Sequence, residues 1–401
     1  MIIRPSIRMN VSFNAHPLGL QKYVTTQADY MLAQKQFSGV KKALIIGGST
    51  GYGLATRLCL ALSAKADTIS ISYEVEPMDK KTGSAGFWNN TFAAQAITAS
   101  GVLTKDFLGD AFSTEMKQAV ADYIKKDFGG KIDLLVYSLA SGRRTDPTTG
   151  ITYNSTLKVM GEPLVGNSLD INSNEMLERK IDAASSDEIA NTIKVMGGED
   201  WQLWIEFLLE HDLLAENFKT VTYSYIGPKA TERIYRDGTI GMAKEHMEAT
   251  ATQLNILINE KLGGEALSAV CRAAVTRASS VIPIFPLYSA ALTKVMEQKG
   301  IDEVPYEHIY RLFSEMIYGE NRELDEKGRV RPDNWELRSD VQDDVNALLK
   351  NVTKENLHTT LDTQKFISLF LEQNGFGFAD INYENDVDID ALKNTAIYEK
   401  I

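Results

Sequence analysis

Cysteine, histidine, basic charge and long apolar runs are all scarce in this 401-residue chain, and each scarcity excludes something. Cys59 and Cys271 are too few and too far apart for a disulfide framework, so a reducing, cytoplasmic setting is expected. His16, His211, His246, His308 and His358 are dispersed, and neither HExxH nor CxxC spacing occurs, so no metal site is expected. The longest apolar stretch, "ASSVIPIFPLYSAAL" from Ala278, is interrupted by Pro283 and Pro286 and is too short to span a bilayer. The opening "MIIRPSIRMNVSFNAHPLG" lacks the apolar run of a signal peptide, so no membrane insertion is expected. Lys and Arg total 42 against 54 Asp and Glu, a formal net charge of -12, which argues against general binding to nucleic acid because phosphate contacts need a basic field.

What is present is an ordinary globular composition, 44% hydrophobic and 24% charged, in a chain long enough to bury a sizeable core. "KKALIIGGSTGYGLATRLCLALSA" reads as a buried strand over Ala43 to Ile46, a glycine-rich turn, and a helix with Leu54, Leu58 and Leu62 on one face. "DTISISYE" is a second strand in which Ile69, Ile71 and Tyr73 alternate with serines. A third strand ends near Asp110, and Ser113 caps the helix after it; "KIDLLVYSLA" is a fourth, apolar from Leu134 to Tyr137. This alternation predicts an α/β fold with a Rossmann-type, doubly wound parallel sheet. Residues 141–218 break the rhythm as a polar, loop-rich insertion that ends in the helical "EDWQLWIEFLLEHDLL". "KTVTYSYIG" resumes the strands, a helix runs from Thr239 to about Leu262, "EALSAVCRAAVT" is the next strand, and a helix starts near Phe285. With no clean linker, residues 1–401 read as one elaborated domain: a core over about 40–300, the insertion, and a helical extension over about 301–401.

The turn "GGSTGYG" (Gly47, Gly48, Ser49, Thr50, Gly51, Tyr52 and Gly53) sits directly between strand and helix. There the chain turns tightly, a cofactor pyrophosphate approaches the backbone, and the helix offers it free N–H groups and a positive dipole end. The G-x-x-x-G-x-G spacing is that of short-chain dehydrogenases. Tyr73 and Glu74 close the second strand, where a carboxylate accepts hydrogen bonds from the adenosine ribose hydroxyls and repels a 2′-phosphate, so NADH is expected over NADPH. No basic residue follows at once in "EVEPMDKK", so a phosphate there would find no counter-charge. Asp110 and Ala111 would border the adenine, and Leu139 and Ala140 after Ser138 would lie beside the nicotinamide ribose.

"YSYIGPKATERIYRDGTIGMAK" then holds two candidate tyrosine–lysine pairs. Tyr225 and Lys229 have the spacing of ordinary short-chain carbonyl reductases, but Gly227-Pro228 between them breaks a helix. Tyr235 precedes a turn at Gly238-Thr239, and Lys244 lies in the second turn of the helix that follows. Spacing alone leaves Tyr235 and Lys244 open between a catalytic pair and a buried tyrosine beside a surface lysine. Arg143-Arg144, Lys229, Arg233 and Arg236 could form a basic rim around such a site, or be ordinary solvated charge.

The whole chain resembles the FabV-type enoyl-ACP reductases and the trans-2-enoyl-CoA reductases. The resemblance is carried by "HPLG", "GGSTGYGLA", "GDAFS", "YSLASGRRTDPTTG", "VMGGEDWQLW", "YSYIG", "IYRDGTIGMAK", "AVTRASSVIPIFPLY" and "GRVRPDNWELR". Its most specific feature is the Tyr-x8-Lys spacing of Tyr235 and Lys244. The chain departs from the family at Gly48, commonly alanine there, which should cost flexibility and not chemistry.

The resemblance implies an NADH-dependent reductase of the trans-2 double bond of an enoyl-CoA or enoyl-acyl carrier protein, acting as a cytoplasmic monomer in fatty acid synthesis. It makes Tyr235 the proton donor, Lys244 a contact to NAD, Tyr225 a contact to substrate, and Ala274, Val275 and Thr276 neighbours of the nicotinamide. An ammonium at Lys244 would lower the Tyr235 pKa by attraction. A carbonyl reductase using Tyr225 and Lys229, or an NADH-sensing protein without turnover, are the competing expectations. The former requires those two residues on one continuous helix.

Overall fold

The computed structural model describes residues 1–401. Its centre is a seven-stranded sheet made of β1 (Lys42–Ile46), β2 (Asp67–Ser72), β3 (Thr104–Leu108), β4 (Ile132–Tyr137), β5 (Leu214–Ser224), β6 (Glu265–Val270) and β7 (Glu399–Lys400). All neighbours pair in parallel, in the order β6-β5-β4-β1-β2-β3-β7. The order reverses beside β1, so the first glycine turn opens at the switch point where such sheets bind ligands.

Helices cover both faces. On one side lie α1 (Pro17–Ala33), α2 (Gly51–Leu58) and α3 (Ala85–Ala99), whose Leu20, Leu54, Leu58, Trp88 and Phe92 join one buried cluster with Ala43, Ile45, Leu134 and Val136. On the other lie α4 (Thr114–Lys126), α6 (Glu199–Glu210) and α8 (Thr239–Leu262), whose Val120, Trp201, Trp204, Met247 and Leu254 pack on Leu44, Ile46, Leu135 and Tyr137. Coverage on both faces explains the unbroken apolar run of β4, and it overrides the alternation expected in β2. Ser70 and Ser72 are as buried as Ile69 and Ile71, while Tyr73 lies beyond the strand and is 72% exposed.

Residues 141–218 contain strands that the sequence pattern did not show. Arg143–Thr145 pairs with Thr152–Asn154, and Leu164–Asp170 pairs with Glu175–Ile181, both antiparallel. Two helices follow, α5 (Ser186–Met196), closed by a capping box of Ser185 and Glu188, and α6. Past β5, the one-turn α7 (Glu232–Tyr235) precedes α8; past β6, α9 (Phe285–Gln298) carries a third core cluster beyond the carboxyl end of the sheet. That cluster holds Tyr235, Phe285, Tyr288, Val341 and Phe370, so the tyrosine pair sits where the sheet meets the C-terminal helices. No helix is long and apolar enough to cross a membrane.

Candidate active site

The loops leaving β1 to β6 converge on one cleft of about 630 Å³. Gly47, Ser49, Thr50, Gly51 and Tyr52 line it from β1, Tyr73 and Glu74 from β2, Asp110 and Ala111 from β3, and Leu139 and Ala140 from β4. Lys244 and Thr276 complete it. Gly48, Ala274, Val275, Tyr225 and Tyr235 stand outside that lining: Ala274 and Val275 face a smaller cavity, Tyr235 lies in the third core cluster, and the half-buried Tyr225 packs against it.

The glycine turn is built by close approach. Gly47 has φ 90°, and a Cβ on it would fall 2.3 Å from the Ser138 carbonyl oxygen; a Cβ on Gly53 would fall 1.9 Å from the Gly47 oxygen. This packing sets α2 to begin at Gly51 with its amino end on the cleft. Tyr52 donates its hydroxyl to the Arg272 carbonyl at 2.8 Å, tying the turn to the end of β6.

Glu74 is held, not solvated. Its Oε1 accepts from Ser49 Oγ at 2.7 Å, and the Asn89 amide donates to the Ser49 carbonyl at 3.0 Å. A counter-charge exists, contrary to the reading of "EVEPMDKK". Arg277, from the loop after β6, places Nη1 3.7 Å from Glu74 Oε2. It is distant in sequence and close only because the sheet order brings the two loop ends over one cleft.

Asp110 caps its own turn by accepting from the Phe112 N–H at 2.9 Å, and the Ala111 carbonyl accepts from Trp204 Nε1 at 3.1 Å. The Asp110–Ala111 side of the cleft is thus anchored on α6, an element of the insertion.

Tyr225 and Lys229 do not share a helix. Tyr225 follows β5, Gly227 has φ 69°, and Lys229 opens a single 3₁₀ turn with its side chain exposed. The requirement of the carbonyl-reductase reading therefore fails. Lys244 lies on α8, which starts at Thr239 behind Gly238 as its cap, and its ammonium donates to the Tyr223 carbonyl at 2.7 Å. Tyr235 ends α7, is 5% exposed, and meets Tyr225 edge-on with ring centroids 4.5 Å apart at 82°.

The expected lowering of the Tyr235 pKa is not what this arrangement produces. Burial raises it, and the charge of Glu336 raises it further, so the hydroxyl stays protonated across the physiological range. Burial also lowers the Lys244 pKa. Glu336 itself went unnoticed within "GRVRPDNWELR". It is fully buried and accepts from the Tyr225 hydroxyl at 3.0 Å, the Tyr288 hydroxyl at 2.7 Å and the Ala273 N–H at 2.5 Å.

Of the basic rim, Arg143 lines the cleft, but Arg144 is buried and donates to Glu199 at 2.7 Å and to the Lys194 carbonyl at 2.8 Å. Arg236 is paired with Glu245 and Glu248, while Arg233 is exposed and donates to the Glu162 carbonyl. No group of three or more His, Cys, Asp or Glu is placed to hold a metal ion.

Residues 81–318 match the family described as the trans-2-enoyl-CoA reductase catalytic region, and residues 2–79 match the NAD(P)H binding domain of trans-2-enoyl-CoA reductase. The chain is 46% identical to a trans-2-enoyl-CoA reductase [NADH] of Clostridium beijerinckii, over 98% of this chain and 99% of that one. It is also 46% identical to an enoyl-[acyl-carrier-protein] reductase [NADH] 2 of Photobacterium profundum, with the same coverage of 98% and 99%. The crystal structure of the Clostridium acetobutylicum trans-2-enoyl-CoA reductase in complex with NADH superposes with a TM-score of 0.96 at 43% identity, covering 98% of this chain and 100% of that one.

Residues 324–387 match a further description, an enoyl reductase FAD binding domain. The residues present do not fit that group. Val341, Val345, Phe366, Ile367 and Phe370 pack into the core shared with α9. The cavity that Leu369, Glu372, Gln373 and Phe378 help to line holds about 100 Å³, against roughly 300–1,000 Å³ for pockets that take small-molecule ligands.

Proposed function

The chain belongs to the trans-2-enoyl-CoA reductase family, and from that premise we propose how its residues divide the work of reduction. It reduces the trans-2 carbon–carbon double bond of an enoyl thioester with NADH. Bound NADH supplies the hydride to the β-carbon.

The glycine turn, with Ser49, Thr50, Gly51 and Tyr52, holds the pyrophosphate against the amino end of α2, and Tyr73 and Glu74 hold the adenosine ribose. Asp110 and Ala111 border the adenine. Leu139, Ala140, Lys244 and Thr276 surround the nicotinamide end, with Ala274 and Val275 as the backbone that leads to Thr276. Tyr225 orients the thioester. As negative charge develops on the thioester oxygen, the Tyr235 hydroxyl donates a hydrogen bond to it and delivers the proton. A raised pKa suits this role, because the donor must arrive protonated.

One observation carries the assignment. The protonated, buried Tyr235 lies edge-on to Tyr225, while Lys244 reaches the cleft from the next helix through the Tyr223 carbonyl. The carrier is coenzyme A or acyl carrier protein, in fatty acid synthesis, and the protein works as a cytoplasmic monomer folded as one elaborated domain. NADH oxidation measured side by side with crotonyl-CoA and with a longer enoyl-acyl carrier protein tests the reaction and ranks the carriers. Consumption of NADH with neither substrate would overturn the reading.

A further inference from the structure

Glu336 lies 63 residues beyond Ala273 in sequence and 111 beyond Tyr225, yet it bonds both. It comes from the segment between the short turn Pro332–Asn334 and the helix Ser339–Asn351. Its Oε1 takes the hydroxyls of Tyr225 and Tyr288, and its Oε2 takes the N–H of Ala273. Gln342 holds the other end by donating to the Glu336 carbonyl at 2.7 Å and to the Tyr288 hydroxyl at 3.2 Å. Every bond is to a group on a different element: the loop after β5, α9, the end of β6 and the helix Ser339–Asn351.

Two of these partners flank the reacting centre. Ala273 leads into Ala274–Thr276, and Tyr225 packs its ring against Tyr235. A single carboxylate therefore spans the gap between the backbone assigned to the nicotinamide and the tyrosine pair assigned to the thioester.

We propose that Glu336 is the positioning residue of this reaction, fixing the proton-donor side of the site to the hydride-donor side. The proposal rests on the roles given above to Tyr225 and Tyr235. Glu336 touches neither substrate nor cofactor; it acts through the Tyr225 hydroxyl and the Ala273 N–H. The segment matched to a flavin domain thereby contributes a carboxylate to the site.

Charge matters as well as geometry. Glu336 is the charged group that bears on Tyr235, and its anion helps to keep that hydroxyl protonated. Burial raises the Glu336 pKa above the ordinary carboxylate range; the Tyr288 hydroxyl, the Ala273 N–H and Arg272 favour its anion, and Asp333 opposes it.

Glu336→Gln retains the shape but loses the charge and one acceptor, so either the Ala273 N–H meets an NH2 or the two tyrosine hydroxyls must accept where they now donate. We expect kcat to fall roughly tenfold to a hundredfold, the scale of a small misplacement at a reacting centre, with the KM for NADH within about twofold of wild type. The loss should fall on kcat and on the KM for the thioester, the side of the site that Tyr225 serves. Glu336→Asp keeps the charge and shifts the carboxylate, so its kcat should also fall, with the KM for NADH unchanged. A merely structural role would lower Tm and leave kcat per folded molecule unchanged in Glu336→Gln, and that result overturns the proposal. If Glu336→Gln fails to fold, Glu336→Asp decides alone: wild-type kcat overturns the proposal, and a reduced kcat with intact NADH binding supports it. Tyr235→Phe, measured in parallel, separates the two readings. Retained turnover there sinks the proton-donor assignment itself, whereas a dead Tyr235→Phe beside a fully active Glu336→Gln sinks only the positioning role.

Discussion

Arg277 and Glu74 face each other across the mouth of the cofactor cleft, guanidinium to carboxylate at 3.7 Å, although they leave the sheet from strands on opposite sides of β1. We expect the pair to set the balance between the two nicotinamide cofactors. Glu74 repels a 2′-phosphate; Arg277, more than half exposed, is free to turn toward one. Wild type should use NADH at least tenfold better than NADPH, a gap of about 1.4 kcal/mol. Glu74→Ser should narrow that gap, chiefly through the KM for NADPH, by removing the repulsion and releasing Arg277. Arg277→Ala should widen it, and the double variant should lose most of the gain of Glu74→Ser. Equal wild-type efficiency with both cofactors, in initial-rate assays, would show that Glu74 does not govern the choice.

The two tyrosine–lysine pairs give a second prediction with opposite outcomes. Tyr235→Phe should cut turnover about a hundredfold or more, the scale of a positioned proton donor, while NADH still binds. Lys229 is exposed and outside the cleft, so Lys229→Ala should leave turnover near wild type. A dead Lys229→Ala with an active Tyr235→Phe would reverse the assignment.

How much of this was legible beforehand depends on the range of each contact. The glycine turn, the strand ends at Glu74, Asp110 and Leu139, and the helix from Thr239 are local features, so periodicity and turn chemistry disclosed them. The choice of Tyr235 over Tyr225 came from family resemblance, because no spacing rule states that a turn will fold back. Glu336 and Arg277 were invisible for the same physical reason. Each is an ordinary charged residue in its own neighbourhood and acquires a role only when sheet order brings distant loops together. The hairpins within 141–218 were missed because their faces are half solvated: Val165 is 54% exposed, and no clean apolar alternation marks the strand. The direction of the Tyr235 pKa shift was misjudged because burial and Glu336 outweigh any ammonium, and burial is not written in a motif.

Gly48 offers a third test, of packing instead of chemistry. It does not line the cleft; a Cβ there would lie 2.4 Å from Ser70 Oγ and 3.3 Å from Ile45 Cγ2, on the buried side of the turn. The alanine common in similar chains therefore does not fit this one unless Ser70 yields. Gly48→Ala alone should cost about 1–3 kcal/mol as an overpacking change. Ser70 Oγ is buried with no hydrogen-bond partner, so Ser70→Ala should cost little and should recover much of the loss in the double variant. Additive effects in thermal or urea unfolding would show that the clash is relieved elsewhere.

The two adjacent arginines of the expected rim should behave in opposite ways, and the structure says why. Arg143 is exposed and lines the cleft, so its charge can meet an acidic carrier only through solvent-screened attraction. Arg143→Glu should therefore raise the KM for the thioester at low salt, with the difference fading as ionic strength rises and Tm holding steady. Arg144 is 2% exposed, and its guanidinium is committed to Glu199 and the Lys194 carbonyl, so it cannot reach a carrier at all. Reversing its charge would bury a carboxylate beside Glu199, leaving like charges in contact and the Lys194 carbonyl without its donor. Arg144→Glu should lower stability by about 3–5 kcal/mol, the usual cost of an uncompensated buried charge, and the loss should persist at high salt. A KM that rises for Arg144→Glu in fully folded protein, or one that stays flat with salt for Arg143→Glu, would remove the exposed-rim account of carrier docking.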